Sequence, residues 1–283
     1  MLKHLPCRCR DVVGVVLMVS SFVNPSAAQA ETTPLTASPD GRPLTLVFAD
    51  NFQSSDAWTG RSGVWRSTVG AGSRPDGDPY IVPNSGEPEM LSTRVGGRNP
   101  VSVNKGVVEI AGSPPPTAAK TGPAGYPYIS GLITTQPSFA QTYGYFEMRA
   151  RLPQGSGLWP AFWMLPQDQS WPPEIDVVES VGDPSHIYMT AHSRFGKSET
   201  VEARITPRAF HVFAVSWDER QLIWYVDGAE IGRVPTPADM HKPMYLLANL
   251  AVGGNWPGAP DAATRPEAKL MIDYIRAYRF TND

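Results

Sequence analysis

Residues 222–228 read Leu-Ile-Trp-Tyr-Val-Asp-Gly, a run of apolar and aromatic residues that ends in a turn dipeptide. β-Branched and aromatic residues favour strands, and Asp-Gly favours the type I′ turn that joins two antiparallel strands. These seven residues therefore predict a β-hairpin. Similar short runs recur outward from this point, separated by turn-forming residues among the 29 prolines and 25 glycines of the chain.

The recurring pattern predicts an all-β protein. The predicted strands cover residues 44–48, 107–110, 131–135, 143–152, 174–179, 188–192, 211–217, 222–226, 244–252 and 269–280. No long window carries apolar residues at the 3, 4 and 7 spacing of an amphipathic helix. Many short strands with turn-rich connections indicate a sandwich or jelly roll.

The first thirty residues have the features of a secretory signal peptide. A basic start that includes Lys3 and Arg8 precedes an apolar run over residues 12–23, and Ala28-Gln29-Ala30 supplies a small-x-small cleavage pattern. The apolar run is too short to span a membrane stably. We therefore expect cleavage near Ala30 and secretion, to a periplasm or to the medium.

The rest of the chain indicates one domain. Residues 31–43 are polar and proline-rich, which predicts a flexible lead-in, and no second linker or repeat follows, so the domain covers residues 44–283. Both cysteines, Cys7 and Cys9, lie in the leader, so the mature chain cannot depend on disulfides. About 250 residues are enough to bury a core without them.

The charge of the chain restricts the classes of partner that it can bind. The formal net charge is −3, and Lys and Arg are scattered without a basic run. This gives no electrostatic basis for binding nucleic acid or an anionic membrane. We expect a monomer that stays free of membranes after signal cleavage and acts on an uncharged substrate.

Residues 174–179, Glu-Ile-Asp-Val-Val-Glu, place three carboxylates in one predicted strand. A buried carboxylate costs several kcal/mol unless it is paired or used, so three call for an explanation. In a plain strand Glu174 and Asp176 share a face and Glu179 points the other way. One extra residue in a β-bulge at Val177-Val178 would return Glu179 to the face of the other two acids.

Two interpretations fit this acid strand. A retaining glycosidase needs two carboxyl groups about 5–5.5 Å apart, one as nucleophile and one as acid/base. Glu174 and Glu179 fit these roles, and Asp176 between them can hold a proton against Glu174. The other interpretation is a solvated acidic edge strand that discourages aggregation.

The flanking sequence favours the glycosidase interpretation. Residues 157–166 and Trp171 lie upstream of the acid strand, and residues 249–258 lie downstream. Sugar rings stack their apolar faces on indole, while their hydroxyl groups need polar partners. The candidate sugar-binding residues are Trp159, Trp163, Trp256, Asn249, His192, Glu147 and Arg149.

Taken together, these motifs resemble glycoside hydrolase family 16, the laminarinase and lichenase group. The matching segments are 143–149 (YGYFEMR), 159–166 (WPAFWMLP), 174–179 (EIDVVE), 225–228 (YVDG), 251–258 (AVGGNWPG) and 272–278 (IDYIRAY). The resemblance implies a concanavalin-A-like β-jelly roll of two curved antiparallel sheets, with a glycan cleft on the concave face. The bulged spacing of the acids is that of the laminarinase-like branch.

The resemblance also implies roles for individual residues. Glu174 becomes the nucleophile, Asp176 the assisting carboxylate and Glu179 the general acid/base. It matches the pair Glu147 and Arg149 to sugar-binding residues of the donor side. His192 matches a histidine near the acid/base, and Asp273 matches a position at a structural Ca²⁺ site. The resemblance implies that catalysis itself needs no cofactor.

The implied function is a retaining endo-β-glycanase that hydrolyses internal β-1,3 or β-1,3-1,4 glucosidic bonds. Pro172-Pro173 stand where laminarinases commonly have a glycine, and a similar run occurs in family members that cut exopolysaccharides such as succinoglycan. An exopolysaccharide depolymerase or a transglycosylase on the same site therefore stays open. A glycan-binding module without activity is a further alternative.

Overall fold

The computed structural model describes residues 33–54, 56–57, 61–67, 89–91, 99–114, 127–261, 264 and 268–281. The expected signal peptide, residues 1–30, lies outside these ranges. Within them the chain forms sixteen strands and no helix, and so nothing that could cross a membrane as a helix. The strands are β1 (Leu44–Asp50), β2 (Glu89–Leu91), β3 (Val101–Asn104), β4 (Val107–Gly112), β5 (Tyr128–Ser130), β6 (Leu132–Thr134), β7 (Gly144–Arg151), β8 (Leu158–Pro166), β9 (Glu174–Glu179), β10 (His186–His192), β11 (Glu199–Arg204), β12 (His211–Trp217), β13 (Gln221–Val226), β14 (Ala229–Pro235), β15 (Met244–Val252) and β16 (Ala268–Phe280).

The strands build two antiparallel sheets that pack face to face. The larger sheet runs β14-β13-β12-β7-β16-β4-β3, with β1 also paired to the long strand β16. The smaller sheet runs β11-β10-β9-β8-β15-β6. A short parallel pair, β2 and β5, lies outside both sheets. The expected all-β sandwich of two antiparallel sheets is confirmed.

The core between the sheets determines which way each side chain points. Phe146 and Met148 of β7 share one buried cluster with Ile175 and Val177 of β9. Successive side chains of a strand point to opposite faces. Residues that alternate with these core positions therefore line the two outer faces of the sandwich. The acids of β9 lie on the outer face of the six-stranded sheet.

All ten predicted strands are present, with ends that agree to within two residues. Strand β8 was not predicted, although it carries two of the candidate sugar-binding residues, Trp159 and Trp163. Pro160 in its middle counts against a central strand, because proline cannot donate to the ladder. Its carbonyl still accepts from the N–H of Ser180, just beyond the end of β9, so the proline removes only its own donor from this side of the strand.

Residues 33–43, part of the expected flexible lead-in, lie against the sheet and make specific contacts with it. The N–H of Leu35 donates to the hydroxyl of Tyr278, and Leu35 packs on the apolar cluster that contains this tyrosine. Arg42 lies over the ring of Phe280 and pairs with Asp218 at 2.7 Å. The polar composition that suggested flexibility instead supplies the contacts that hold the segment down.

Candidate active site

A β-bulge in β9 determines where the three carboxylates point. In the pairing with β8, Val177 is left without a partner between Asp176 and Val178. The pairing with β10 shifts at the same place. Because the extra residue reverses the alternation of faces, Glu179 returns to the side of Glu174 and Asp176. The predicted bulge is confirmed, and all three acids share one face.

Asp176 is the most deeply buried of the three acids, with 1% of its surface exposed. Burial raises its pKa well above the usual value, and the charges of Glu179 and Glu174 raise it further. His192 of β10 brings its Nε2 atom to 3.0 Å from Asp176 Oδ2. The carboxyl group therefore favours its protonated form, which can donate a hydrogen bond to Glu174.

Glu179 is also buried, and it has a specific hydrogen-bond donor. The indole N–H of Trp159 donates to Glu179 Oε1 at 2.7 Å. Burial raises the pKa of Glu179 to about 7, the Trp159 hydrogen bond lowers it in part, and the charge of Glu174 raises it. A carboxylic acid that titrates near neutral pH is suited to general acid catalysis.

Glu174 is less buried than the other two acids and lies at the start of β9. The indole N–H of Trp171 donates to Glu174 Oε2 at 2.6 Å. Trp171 itself is 67% exposed. Glu174 is therefore accessible from solvent, and it accepts a hydrogen bond from an exposed side chain.

Aromatic and amide side chains line the same face on either side of the acids. The ring of Trp256 meets Trp159 edge-on at 5.4 Å and Tyr188 at 4.9 Å, and it is 46% exposed. Trp163 donates its indole N–H to Asn249 Oδ1 at 2.7 Å. Five of the predicted sugar-binding residues thus lie on the carboxylate face, namely Trp159, Trp163, His192, Asn249 and Trp256.

Glu147 and Arg149 do not belong to this face, which corrects their predicted place in the substrate site. Both lie on β7 and alternate with core residues of the eight-stranded sheet, so they point out from the opposite side of the sandwich. Glu147 accepts a hydrogen bond from Tyr278 at 2.8 Å and is buried, which raises its pKa. Its role there is structural.

Asp273, the expected calcium ligand, lies at a bulge of β16 on that same far side. Its carboxylate accepts a hydrogen bond from the guanidinium of Arg149. A Ca²⁺ ion takes six to eight oxygen ligands, and here a cation would have to displace a guanidinium that already neutralises the acid. The described surroundings of Asp273 therefore do not fit a calcium ion.

One group of three side chains within the described ranges has metal-ligand geometry. Glu174, Asp176 and His192 each offer one ligand atom, and these atoms lie within 4.8 Å of one another. The raised pKa of Asp176 opposes a cation at this place, because the protonated carboxyl group is a poor ligand. Acid/base chemistry suits the group better.

Sequence reasoning gave no role to two residues that contact or flank the acids. Tyr188 pairs across the ladder with Glu179, and Trp171 contacts Glu174. Tyr188 could have been found, since it is separated from His192 by two steps of the period-2 alternation. The contact of Trp171 depends on how residues 171–173 enter β9, which no periodicity predicts.

The geometry defines a class of protein. A pair of glutamates that differ in burial and hydrogen-bond partners, on an aromatic-lined sheet face with an assisting aspartate, is the arrangement of a β-sandwich glycoside hydrolase. Comparison with known proteins places the chain within that class. The family model of the glycosyl hydrolases family 16 matches residues 99–276.

Individual relatives agree with the family model. Endo-1,3-1,4-beta-glycanase EglC of Rhizobium meliloti (strain 1021) is 41% identical over 280 residues, which is 93% of this chain and 57% of the relative. The endo-beta-1,3-glucanase of Pyrococcus furiosus has a similar structure, with a TM-score of 0.72 at 27% identity over 89% of this chain and 100% of that one. The laminarinase catalytic domain of Thermotoga petrophila RKU-1 has a TM-score of 0.71 at 30% identity, over 85% and 100%.

The chain belongs to glycosyl hydrolase family 16, and laminarinases are among its structural neighbours. It spans just over half the length of the curated relatives to which it is most fully aligned.

Proposed function

We propose that the protein is a secreted, retaining endo-β-glycanase that hydrolyses internal β-1,3 or β-1,3-1,4 glucosidic bonds in two displacement steps. The observation that carries the proposal is the contrast between the two glutamates. Glu179 is buried and has a pKa of about 7, whereas Glu174 shares its face but is open to solvent. Two carboxyl groups whose environments differ in this way can act as acid and nucleophile.

The first step breaks the glycosidic bond. A carboxylate oxygen of Glu174 attacks the anomeric carbon, while protonated Glu179 gives its proton to the departing glycosidic oxygen. The shortened chain leaves as an alcohol, and the remaining sugar forms an ester with Glu174. Burial of Glu179 helps this step because it keeps the acid protonated near neutral pH.

The second step releases the sugar. Glu179, now a carboxylate, takes a proton from a water molecule as that water attacks the anomeric carbon. The bond to Glu174 breaks, the product keeps the original β-configuration, and both glutamates return to their starting states. Neither step calls on a cofactor.

Asp176 supports Glu174 in both steps. Its raised pKa favours a proton on the carboxyl group, and that proton is placed to form a hydrogen bond with Glu174. The bond orients the nucleophile and stabilises it when the ester breaks. The Nε2 atom of His192, 3.0 Å from Asp176 Oδ2, limits how far this carboxyl group can rotate.

The activities for which the relatives are named support the choice of polymer. Those of Rhizobium meliloti are endo-1,3-1,4-beta-glycanases, and the solved neighbours are laminarinases and endo-beta-1,3-glucanases. The exposed indole of Trp256 and the Trp163–Asn249 pair provide a stacking surface and a polar contact for glucosyl rings. Secretion, which the signal-like residues 1–30 support, and a monomeric state are both part of the proposal.

A second candidate is an exopolysaccharide depolymerase with the same residues. Pro172-Pro173 before the acid strand favour it, because they change the entry to the cleft while they leave the carboxylates in place. The chemistry would be identical, and the polymer would differ.

A panel of polymers separates these candidates. Laminarin, lichenan, curdlan and succinoglycan are each incubated with the enzyme, and reducing ends and product lengths are measured. We expect short oligosaccharides from laminarin and lichenan, with β-anomers first in the proton NMR spectrum. Release from succinoglycan alone would favour the second candidate, and α-anomers as first products would contradict the retaining mechanism.

A further inference from the structure

The segment just before the acid strand has few ways to be held in place. Ladder pairing between β9 and β10 begins at Glu174 opposite His192, so residues 171–173 lie outside it. Pro172 and Pro173 have no N–H, and thus offer only carbonyl groups for backbone hydrogen bonds. Yet this segment carries Trp171, the exposed side chain that donates to Glu174.

The turn between β10 and β11 supplies the missing anchor. Arg194 in this turn donates from Nη2 to the carbonyl oxygen of Pro172 at 2.5 Å. The guanidinium therefore fixes the backbone directly after Trp171. Because Trp171 has little packing of its own, the position of this carbonyl sets where its indole N–H points.

Asp239, which lies in the connection between β14 and β15, holds the β10–β11 turn in place. The Ser193 hydroxyl donates to Asp239 Oδ1 at 2.7 Å, and the Arg194 N–H donates to Oδ2 at 3.0 Å. The Arg194 Nε atom lies 3.5 Å from the same oxygen. All three contacts of this carboxylate go to two adjacent residues of one turn.

Burial makes the hydrogen bonds of Asp239 costly to lose, because a buried carboxylate without donors is destabilising. The side chain of Asp239 is 5% exposed while that of Arg194 is 46% exposed, so solvent screens the ion pair in part, and the buried carboxylate depends mainly on its two hydrogen bonds from Ser193 and the Arg194 N–H. Surface ion pairs contribute little by comparison. A buried acid that binds one turn, far along the chain from the acid strand, defines the conformation of that turn.

We propose that Asp239 is a positioning residue for Glu174. It fixes Arg194, Arg194 fixes the carbonyl of Pro172, and this backbone places the indole of Trp171 on the carboxylate of Glu174. The inference rests on the proposed function, because Asp239 affects catalysis only if Glu174 is the nucleophile. Loss of the carboxylate would let Trp171 and Glu174 move apart while the strands themselves keep their pairing.

The chain offers a matched control at the opposite end of β10. Asp183 also accepts from the N–H and hydroxyl of a nearby serine, Ser185, and pairs with an arginine, Arg204, at 3.2 Å. This pair is largely exposed and touches none of the three acids. Asp183→Ala therefore removes the same kinds of contact without touching the acids or Trp171.

A double-mutant cycle tests the proposal. Asp239→Ala, Trp171→Phe, the double variant and Asp183→Ala are assayed for kcat and KM on laminarin and lichenan, with the melting temperature of each. We expect Asp239→Ala to lower kcat by about ten- to a hundredfold with KM little changed, since small misplacements of reacting groups have effects of this size. In the Trp171→Phe background the same change should cost less than about twofold, because the contact it protects is already gone. Asp183→Ala should keep the wild-type kcat.

An equal loss of kcat from Asp239→Ala in both backgrounds would overturn the proposal, because Asp239 would then act independently of Trp171. If Asp239→Ala does not fold, Arg194→Gln takes its place in the cycle, since Arg194 is half exposed and the same non-additivity is expected. Failure of the proposed function would be seen separately, as a wild-type enzyme that releases no reducing ends from any polymer.

Discussion

At the scale of single residues, neighbouring groups shift the pKa values of the two buried acids, Asp176 and Glu179, in different ways. Asp176 lies between Glu174 and Glu179, and both negative charges add to the effect of burial on its pKa. Burial raises the pKa of Glu179 to about 7, and the Trp159 N–H beside it limits this rise because it stabilises the carboxylate. Glu179 can therefore give and take a proton near neutral pH, as a general acid/base must.

The pH profile of kcat/KM tests this assignment. Glu179 must be protonated for the first step, so activity should be present below about pH 7 and fall as the pH rises through the pKa of Glu179. Trp159→Phe removes a donor that favours the charged form, so this pKa rises and the basic limb moves to higher pH, by on the order of one unit.

Trp163→Phe is the control for this shift, because the indole N–H of Trp163 donates to Asn249 and not to an acid. Its basic limb should stay where it is in the wild type. An unmoved limb in Trp159→Phe, or equal shifts in both variants, would contradict the role given to Trp159.

At the scale of elements, local chemistry accounts for the turn of the β13–β14 hairpin. Asp227 and Gly228 both have positive φ, at 50° and 78°, as a type I′ turn requires. The Asp227 carboxylate also accepts the N–H of Val212 at 2.8 Å, which ties the turn to β12. This element could be predicted from sequence because nothing beyond the turn itself is needed to define it.

Gly228→Ala tests the turn. Space around Gly228 is open, so the cost comes from the left-handed backbone alone, and we expect the free energy of unfolding to fall by about 1 kcal/mol. Gly196→Ala is the matched control, since its surroundings are equally open and its backbone is not left-handed. Thermal unfolding of both variants gives the comparison, and equal melting temperatures would refute the strain argument.

Strand β8 shows why other elements could not be predicted in the same way. Pro160 lies beside the end of β9, and its position there belongs to the tertiary structure. The bulge of β9 was predictable for the opposite reason. Three acids interleaved with Ile and Val leave one arrangement that keeps every carboxylate out of the core.

At the scale of the whole molecule, the sandwich has two outer faces, and the sequence does not say which one carries the cleft. Alternation along β7 places Glu147 and Arg149 away from the core, in agreement with a polar face. Whether that face is shared with the acids depends on which sheet β7 joins. The packing of the sheets decides this, and it puts these two residues opposite the site.

Residues 33–43 contribute to the stability of the sandwich in this structure. A chain that begins at Leu44 would lose the contacts of Leu35 with the Tyr278 cluster and of Arg42 with Asp218. We expect it to be less stable than a chain that begins at Thr33 by about 1–3 kcal/mol, which lowers the melting temperature by several degrees. Equal melting temperatures would restore the interpretation of a flexible lead-in.

Calcium is a second test at this scale. Because Arg149 already occupies the carboxylate of Asp273, we expect the same melting temperature in millimolar CaCl₂ and in EGTA. Ligand present at a hundred times its dissociation constant would stabilise the fold by about 2.7 kcal/mol. A calcium-dependent rise of several degrees would therefore show that a cation site exists after all.

The central claim is that Glu174 is the nucleophile and Glu179 the acid/base, and azide chemistry measures both at once. Glu174→Ala and Glu179→Ala are each given an activated aryl β-glycoside of a laminari-oligosaccharide in the presence of sodium azide, and the glycosyl azides are identified by proton NMR. Azide should replace the missing nucleophile in Glu174→Ala and give the α-azide, whereas in Glu179→Ala it should attack the glycosyl-enzyme and give the β-azide. The same anomer from both variants, or the opposite pairing, would contradict the account.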